Sequence, residues 1–159
     1  MKTGSNALFT MRRMRVEDVD QVVAIAAGLK DAPHWPRPVY VAALDPAATP
    51  RRVVLIAASE TSGAVAGFVI ASVLQPQAEL ETIAVRPEAQ RQGIGSGLFS
   101  ILVDELKAAA VSEILLEVRQ SNCAGLAFYG SLGWRPTGTR PRYYTDPEED
   151  AILMSLALG

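Results

Sequence analysis

The sequence of 159 residues contains a single cysteine, Cys123, and a single histidine, His34. One cysteine allows no disulfide within the chain, and metal sites built on cysteine and histidine need several such residues. We therefore expect no metal site. Because no histidine lies near Cys123 in sequence to activate its thiol, covalent catalysis through an acyl-cysteine is also disfavoured.

A strong charge imbalance and a long apolar segment are absent as well. Fifteen Lys and Arg residues stand against 17 Asp and Glu residues, which gives a formal net charge of −2. A nucleic-acid-binding surface would require a basic excess, and the apolar run 64–74 is far shorter than the ~20 residues of a membrane helix. The first ten residues lack the apolar core of a secretory signal. We expect a cytoplasmic protein that binds neither nucleic acid nor membranes.

The chain does contain enough apolar residues for a substantial core, since 49% of it is hydrophobic and 20% is charged. At this length one domain is expected. The small and polar residues 1–7 predict a flexible tail, and residues 8–159 predict a single domain.

The apolar periodicity predicts a domain of the α/β class. Helices are expected over 16–28, 39–44, 98–110 and 124–132, and strands over 8–14, 53–58, 64–74, 79–85, 114–118 and 151–156, with a further strand from Trp134. The turn at 61–63 makes an antiparallel hairpin, whereas the helix before 114–118 makes that strand a parallel neighbour of 79–85. Tyr143 and Tyr144 are placed on the connection before the last strand.

The segment 79–98 combines a strand, a glycine-rich turn and the start of a helix. Pro87 ends the strand because proline has no N–H to donate to a sheet, and Gly93 and Gly95 lie in the turn. Glycine lets the backbone approach a ligand closely, and the unpaired N–H groups of a helix's first turn attract anions. The pattern favours a phosphate site, with a plain tight turn as the alternative. An NTPase loop is disfavoured because no lysine follows Gly95.

The residues Gln90-Arg91-Gln92-Gly93-Ile94-Gly95, which follow Ile83-Ala84-Val85, closely resemble the Gln/Arg-x-x-Gly-x-Gly/Ala signature of the GNAT acetyltransferase superfamily. The resemblance implies the GNAT fold, a mixed sheet of about six to seven strands flanked by about four helices. It also implies that the turn holds the pyrophosphate of acetyl-CoA, the cosubstrate. The residues assigned to acetyl-CoA on this basis are Ile83, Ala84, Val85, Gln90, Arg91, Gln92, Gly93, Ile94, Gly95 and Ser96.

Motifs beyond the turn resemble, in order, those of the bacterial ribosomal-protein alanine N-acetyltransferases, a branch of the GNAT superfamily. They are the segments 116–122, 127–129, 132–134, 142–144 and 149–151. The resemblance implies that Glu117 is the base for the acceptor amine and that Tyr129 is the acid beside the departing sulfur. It further implies that Asn122 contacts the pantetheine arm. In the first half, Pro33-His34-Trp35-Pro36 replaces the Phe-Pro-Trp-Ser type of segment typical of the branch.

Other assignments of the base and of Tyr129 stay open. Glu79 and Glu81 would point to one face of a strand, and other GNAT branches place their base carboxylate there. Each could instead be a solvated strand carboxylate. Glu117 is favoured because it interrupts an apolar strand, where a carboxylate needs a partner or a raised pKa. Tyr129 could instead be a core aromatic, since it has helical spacing to Leu126 and Leu132.

A base and an acid together favour an enzyme over a noncatalytic coenzyme-A-binding module. We expect transfer of the acetyl group of acetyl-CoA to an amine by direct attack. A protein N-terminal α-amine is the leading acceptor, and a small-molecule amine is the alternative. Tyr143 and Tyr144 are candidates to flank a peptide's first residues. Trp35 is also a candidate, although it could instead fill the core under its loop.

Overall fold

The computed structural model describes residues 5–6 and 8–159. The predicted tail, 1–7, lies outside the described residues except for Ser5–Asn6, a two-residue strand (β1). β1 pairs antiparallel with Phe9–Arg13 (β2), with Ser5 opposite Thr10.

The described chain contains four α-helices and, after β2, six further strands. The helices are Val19–Ala27 (α1), Arg37–Ala43 (α2), Ile94–Ala108 (α3) and Cys123–Ser131 (α4). The strands are Arg51–Ser59 (β3), Val65–Leu74 (β4), Gln77–Val85 (β5), Glu113–Arg119 (β6), Arg135–Tyr144 (β7) and Glu149–Ala157 (β8). Each helix and strand predicted from periodicity is present, with ends within a few residues of those expected.

All the strands join one mixed sheet in the order β1-β2-β3-β4-β5-β6-β8-β7. Neighbours are antiparallel except β5 and β6, which run parallel because α3 connects them. β5 and β6 pair only where 77–79 lie opposite 113–115. Beyond this point β5 and β6 are no longer paired. The predicted architecture is therefore confirmed, with β1 as an additional short strand at one edge.

Hydrophobic cores lie on both faces of the sheet. Leu98, Leu102 and Leu106 of α3 are fully buried in a core that includes Leu55 and Ile114 of the sheet. Truncating such a buried leucine to alanine lowers the free energy of unfolding by about 2–5 kcal/mol.

The second core lies under α1 and α2 on the opposite face. It contains Val22 and Tyr40 from the helices and Ile56 and Phe68 from the sheet. Because β3 and β4 are covered on both faces, their sequences are continuous apolar runs rather than alternating ones.

A β-bulge interrupts β5 close to the point where β5 and β6 part. Leu80 lies opposite Ala71 and Thr82 lies opposite Ile70, so Glu81 is the extra residue. A bulge bends the strand and changes the direction of the side chains that follow it. The bulge thus determines which way residues 82–85 face, where β5 is still paired with β4 but no longer with β6.

Candidate active site

A cleft of about 930 Å³ lies between β5 and β6 where their pairing ends. Its walls come from the N-terminal end of α3, from α4, from the end of β7 and from the loop after α1. The cleft brings together all the predicted site residues except Gln92. These are Trp35, Glu79, Glu81, Ile83, Ala84, Val85, Gln90, Arg91, Gly93, Ile94, Gly95, Ser96, Glu117, Asn122, Tyr129, Tyr143 and Tyr144.

The glycine-rich turn forms one end of this cleft. Gly93, immediately before α3, has φ +78°, and Arg91 is also left-handed with φ +65°. The Gln90 side chain donates a hydrogen bond of 3.0 Å to the carbonyl of Val85, which ties the turn to the end of β5. The first N–H groups of α3 have no partner inside the helix and lie at the positive end of its dipole. The turn therefore has the geometry of an anion site.

Gly95 allows α4 to pack close to the turn. A Cβ atom at this position would lie 3.2 Å from Cζ of Phe128 and 3.9 Å from Cγ2 of Val85. A larger side chain would have to displace the Phe128 ring or narrow the cleft. Phe128 is thus a wall residue of the cleft, a role that the motif 127–129 did not indicate.

Asn122 is the N-cap of α4. Its Oδ1 accepts a hydrogen bond of 2.9 Å from the N–H of Gly125 and so satisfies a donor that would otherwise lack a partner. The cap fixes the start of the helix that carries Phe128 and Tyr129 along the cleft. The contact of Asn122 with a pantetheine arm stays a prediction.

Glu117 points away from the core under α3. Its neighbours Leu116 and Val118 are buried in that core, so alternation along β6 places Glu117 on the other face of the sheet. The Glu117 side chain is 20% exposed, and its Oε1 lies 3.5 Å from Nε of Arg140. Hydrogen bonding to Glu117, followed by burial, raises the pKa of Tyr143. The carboxylate thus has the partners that its place in an apolar strand requires.

The two rival carboxylates differ in their surroundings. Arg52 donates to both oxygens of Glu81, over 2.8 Å from Nε and 3.3 Å from Nη2. Glu79 is more exposed, and desolvation at the cleft wall, followed by the charges of Glu117 and Glu81, raises its pKa. After the hydrogen bond and the charge of Glu81, the charge of Glu79 also contributes to raising the pKa of Arg52, as expected if Glu79 and Glu81 share a face of the sheet. Glu81 is therefore occupied by an ion pair that leaves it less available as a base.

Tyr129 both packs on the core under α3 and lines the cleft. It thus has the position expected of a core aromatic and also that expected of a residue facing the site. Its ring centroid lies 5.5 Å from that of Phe128 and 5.8 Å from that of Trp134. Burial, followed by the neighbouring Tyr144, raises the pKa of Tyr129 to about 12. The phenol consequently keeps its proton throughout the neutral pH range.

Tyr143 and Tyr144 belong to β7, so the prediction that they lie on the connection before the last strand is wrong. Tyr144 pairs with Glu149 of β8 after a register shift, within which Arg142 takes φ +54°. Consecutive residues of a regular strand face opposite sides, and this irregularity accounts for both rings bordering the cleft. Three arginines in β7 conceal how far the strand predicted from Trp134 extends, because they replace the apolar residues of an alternating pattern.

Trp35 combines the two placements expected for it. Its ring centroid lies 5.5 Å from that of Tyr40, and it packs against the core under α1 and α2. The same side chain borders the cleft from the loop after α1. The imidazole of His34 lies 2.9 Å from the carbonyl of Leu29, a contact within the same loop.

The sequence reasoning missed the cationic partners of the site. Arg52 and Arg140 face the carboxylates, and Arg119 lies beside Tyr144 with its guanidinium carbon 4.4 Å from the ring centroid. These contacts join strands that are separate in the sequence. Alternation could have placed each arginine on a face of its strand, but not opposite its partner.

Within residues 5–6 and 8–159, no three His, Cys, Asp or Glu side chains are grouped so as to hold a metal ion. Among the helices of this part of the chain, none has the length and apolar character needed to cross a membrane.

Comparison with protein families assigns residues 19–134 to the acetyltransferase (GNAT) family. The chain belongs to the GNAT acetyltransferase family. The fold and the enzyme class that the resemblance of the glycine-rich turn implied are thereby confirmed. The enzyme is an N-acetyltransferase that moves the acetyl group of acetyl-CoA to an amine.

Individual relatives confirm the resemblance to the ribosomal-protein alanine branch. The [ribosomal protein bS18]-alanine N-acetyltransferase of Escherichia coli (strain K12) is 46% identical over 100 residues, which are 62% of this chain and 68% of the relative. A putative enzyme of the same name from Bacillus subtilis (strain 168) is 33% identical over 149 residues, 94% of this chain and 95% of the relative.

Among solved structures, the ribosomal-protein-S18-alanine N-acetyltransferase from Escherichia coli superposes with a TM-score of 0.82 and 33% identity. The match covers 96% of this chain and 95% of that structure. The similarity to this GNAT branch thus extends over nearly the whole chain, including the first half.

The residues of the cleft fit acetyl-CoA. The left-handed Gly93 and the start of α3 have the geometry that an anion such as a pyrophosphate requires, and a Cβ at Gly95 would crowd that end of the cleft. Beyond Glu79 the backbone of β5 is no longer paired with β6. This GNAT enzyme therefore has space for an extended ligand along β5 and the geometry of an anion site where that strand ends.

Proposed function

We propose that this GNAT enzyme acetylates the N-terminal α-amine of a protein or peptide, best with a small first residue such as alanine. The observation that carries the proposal is the position of Glu117, in the cleft wall beside the two tyrosines that end β7. Relatives that match this chain over nearly its full length are named for acetylating an alanine of ribosomal protein bS18. A peptide's first residue would lie between these tyrosines and Trp35.

Glu117 is proposed as the base. Acetyl-CoA supplies a thioester whose carbonyl carbon is open to attack by a neutral amine. Glu117 accepts the proton that the acceptor amine gives up, directly or through one water molecule. Nε of Arg140 lies 3.5 Å from one oxygen of this carboxylate, a longer contact than the 2.8 Å and 3.3 Å hydrogen bonds that Arg52 makes with Glu81. Glu81 is less suited because Arg52 binds both of its oxygens, and Glu79 remains the alternative base.

Tyr129 is proposed as the group that donates to the departing sulfur. Its phenol is protonated at neutral pH because burial raises its pKa to about 12. A thiol has a pKa near 8.5, so complete transfer from the phenol to the free thiolate would be uphill by roughly 5 kcal/mol. We therefore assign Tyr129 the role of a hydrogen-bond donor that stabilises negative charge as it develops on sulfur.

The α-amine fits this machinery better than a lysine side chain does. An α-amine with a pKa of about 7.7–8.0 is substantially neutral at pH 7.5, whereas a lysine with a pKa of about 10.4 is neutral in roughly one molecule in a thousand. The difference corresponds to about 3–4 kcal/mol in the deprotonation that precedes attack. A carboxylate base without a histidine is suited to the easier deprotonation.

A panel of acceptors tests the proposal. Peptides that begin with alanine, serine, leucine or glutamate, together with a polyamine and an aminoglycoside, are incubated with the enzyme and acetyl-CoA. The rate is measured from the release of free coenzyme A. We expect the alanine and serine peptides to give the highest kcat/KM. The matched control is the alanine peptide with its α-amine formylated, which should not react. Turnover of the small amines alone would assign the enzyme to small-molecule acetylation instead.

A further inference from the structure

We infer that Arg119 is a positioning residue for acceptor binding, because it holds the turn between β7 and β8, and with it Tyr144, against the cleft. The inference rests on the proposed function in one respect, namely that the acceptor enters beside Tyr143 and Tyr144. No acceptor contact by Arg119 itself is needed. The residue acts through the tyrosine that it holds.

The guanidinium of Arg119 makes three hydrogen bonds to the turn region. Nη1 donates to the carbonyl of Pro147 over 3.1 Å and to Oε1 of Glu149 over 3.2 Å, and Nη2 donates to the carbonyl of Thr145 over 3.1 Å. The side chain of Arg119 is only 22% exposed. A planar guanidinium reaches these three acceptors at once, which a lysine ammonium on a flexible stem does not reproduce.

Glu149 belongs to the same hydrogen-bond network and connects it to the residues that follow β6. Its second carboxylate oxygen accepts a hydrogen bond from the N–H of Ser121, and the N–H of Gln120 donates to the carbonyl of Asp150 over 3.1 Å. The contacts with Ser121, followed by those with Arg119, lower the pKa of Glu149. The carboxylate of Glu149 is therefore ionised throughout the neutral pH range. Its contacts with Arg119 and Ser121, which join the end of β6 to the start of β8, are thus kept over that range.

Tyr144 is the side chain through which this network reaches the site. The guanidinium carbon of Arg119 lies 4.4 Å from the centre of the Tyr144 ring, a cation–π contact. Burial, followed by the charge of Glu117, raises the pKa of Tyr144 to about 12. Tyr144 in turn affects the pKa of Tyr129. Tyr144 therefore borders the same cleft as the proposed base and the proposed donor, and a shift of its ring changes the wall that an acceptor contacts.

Arg142, in the same β7–β8 hairpin, has a weaker attachment and supplies a control. Arg142 makes a single ion pair with Glu148, 3.4 Å long, between side chains that are 83% and 67% exposed. Such exposed pairs contribute little to structure. Arg142→Lys is thus the matched control for Arg119→Lys, with the same substitution in the same hairpin.

The kinetic test compares the two lysine variants with the wild type. For Arg119→Lys we expect the KM of the peptide acceptor to rise at least about tenfold while the KM of acetyl-CoA stays within twofold. Arg142→Lys should match the wild type in both constants. On a Tyr144→Ala background, Arg119→Lys should cause no further rise in acceptor KM, because the two residues act in one chain of contacts. An additive effect, or a loss of active enzyme at unchanged acceptor KM, would overturn the inference.

Hydrogen exchange supplies a measurement that does not depend on the acceptor. Amide exchange over 143–149 should be faster in Arg119→Lys and in Glu149→Gln than in Arg142→Lys. Unchanged exchange in both variants overturns the inference, as does faster exchange at unchanged acceptor KM. If the wild type acetylates no peptide, the proposed function fails, and the amine that it does acetylate serves as acceptor in the kinetic test.

Discussion

Replacing Tyr129 by phenylalanine removes one hydroxyl from the wall of the cleft and leaves the ring in place. The ring contacts with Phe128 and Trp134, at 5.5 and 5.8 Å between centroids, do not involve the hydroxyl. The Tm should therefore change by no more than about 4 °C, the shift expected for about 1 kcal/mol in a domain of this size. Catalysis should respond much more strongly.

The size of the catalytic effect follows from the protonation state of Tyr129. With a pKa of about 12, the phenol acts as a hydrogen-bond donor to the departing sulfur rather than as a strong acid. A hydrogen bond to a charged group contributes about 1.5–3 kcal/mol. Removing it should lower kcat about 10- to 150-fold, since each 1.36 kcal/mol changes the rate tenfold. The raised pKa also means that ionisation of Tyr129 causes no loss of rate between pH 7 and 9.5.

Steady-state kinetics with saturating acetyl-CoA, combined with thermal melting, measures both effects on one preparation. Tyr129→Ala is the control for loss of the ring, and it should lower Tm as well as kcat. A Tyr129→Phe enzyme that keeps kcat within twofold while losing stability would refute the donor role and make Tyr129 a core residue. An alkaline fall in kcat between pH 8 and 9.5 that disappears in Tyr129→Phe would refute the stated protonation state.

Three further predictions concern the carboxylates and the turn. Glu117→Gln should lower kcat/KM by about 10²–10⁴-fold, and Glu81→Gln and Glu79→Gln by less than about tenfold; steady-state kinetics giving the reverse order would reassign the base. Gly95→Val should weaken coenzyme A binding at least about tenfold, measured by calorimetry, because the valine side chain would meet the ring of Phe128. Unchanged affinity in the folded variant would refute the assignment of the turn as a phosphate site. Glu79→Gln should raise Tm at pH 7.5, because desolvation, followed by the charges of Glu117 and Glu81, raises the pKa of Glu79. With a raised pKa, Glu79 binds its proton more tightly in the folded state than in the unfolded chain, so its ionised form lowers stability above the unfolded pKa of about 4.3. The Tm gained by Glu79→Gln should therefore shrink as the pH falls towards 4.5. An equal gain at pH 7.5 and pH 4.5 would contradict this account.

Local pattern predicted the α/β class and its elements, and the resemblance of the glycine-rich turn and of the later motifs to GNAT enzymes implied the fold. The helices and strands follow from apolar periodicity, and the parallel pairing of β5 with β6 follows from the helix that connects them. The glycine-rich turn located the cleft because its residues must lie at the end of β5 and the start of α3. These features depend on residues close together in the sequence.

The predictions were less complete where long-range contacts decide the structure. The bulge at Glu81 depends on the register with β4, and the register shift that places Tyr143 and Tyr144 depends on β8. The partners Arg52 and Arg140 reach the carboxylates across strands, and one sequence does not specify such pairs. Alternation alone cannot foresee an extra residue in a strand.

The acceptor is tested most directly with one peptide that carries a free N-terminal alanine and an interior lysine. The peptide is incubated with the enzyme and acetyl-CoA at pH 7.5, and tandem mass spectrometry locates the acetyl group. The difference in neutral fraction between the two amines predicts acetylation of the α-amine in at least about hundredfold excess over the lysine. Acetylation of the lysine alone, or no peptide product under conditions where a small-molecule amine is acetylated, would contradict the account.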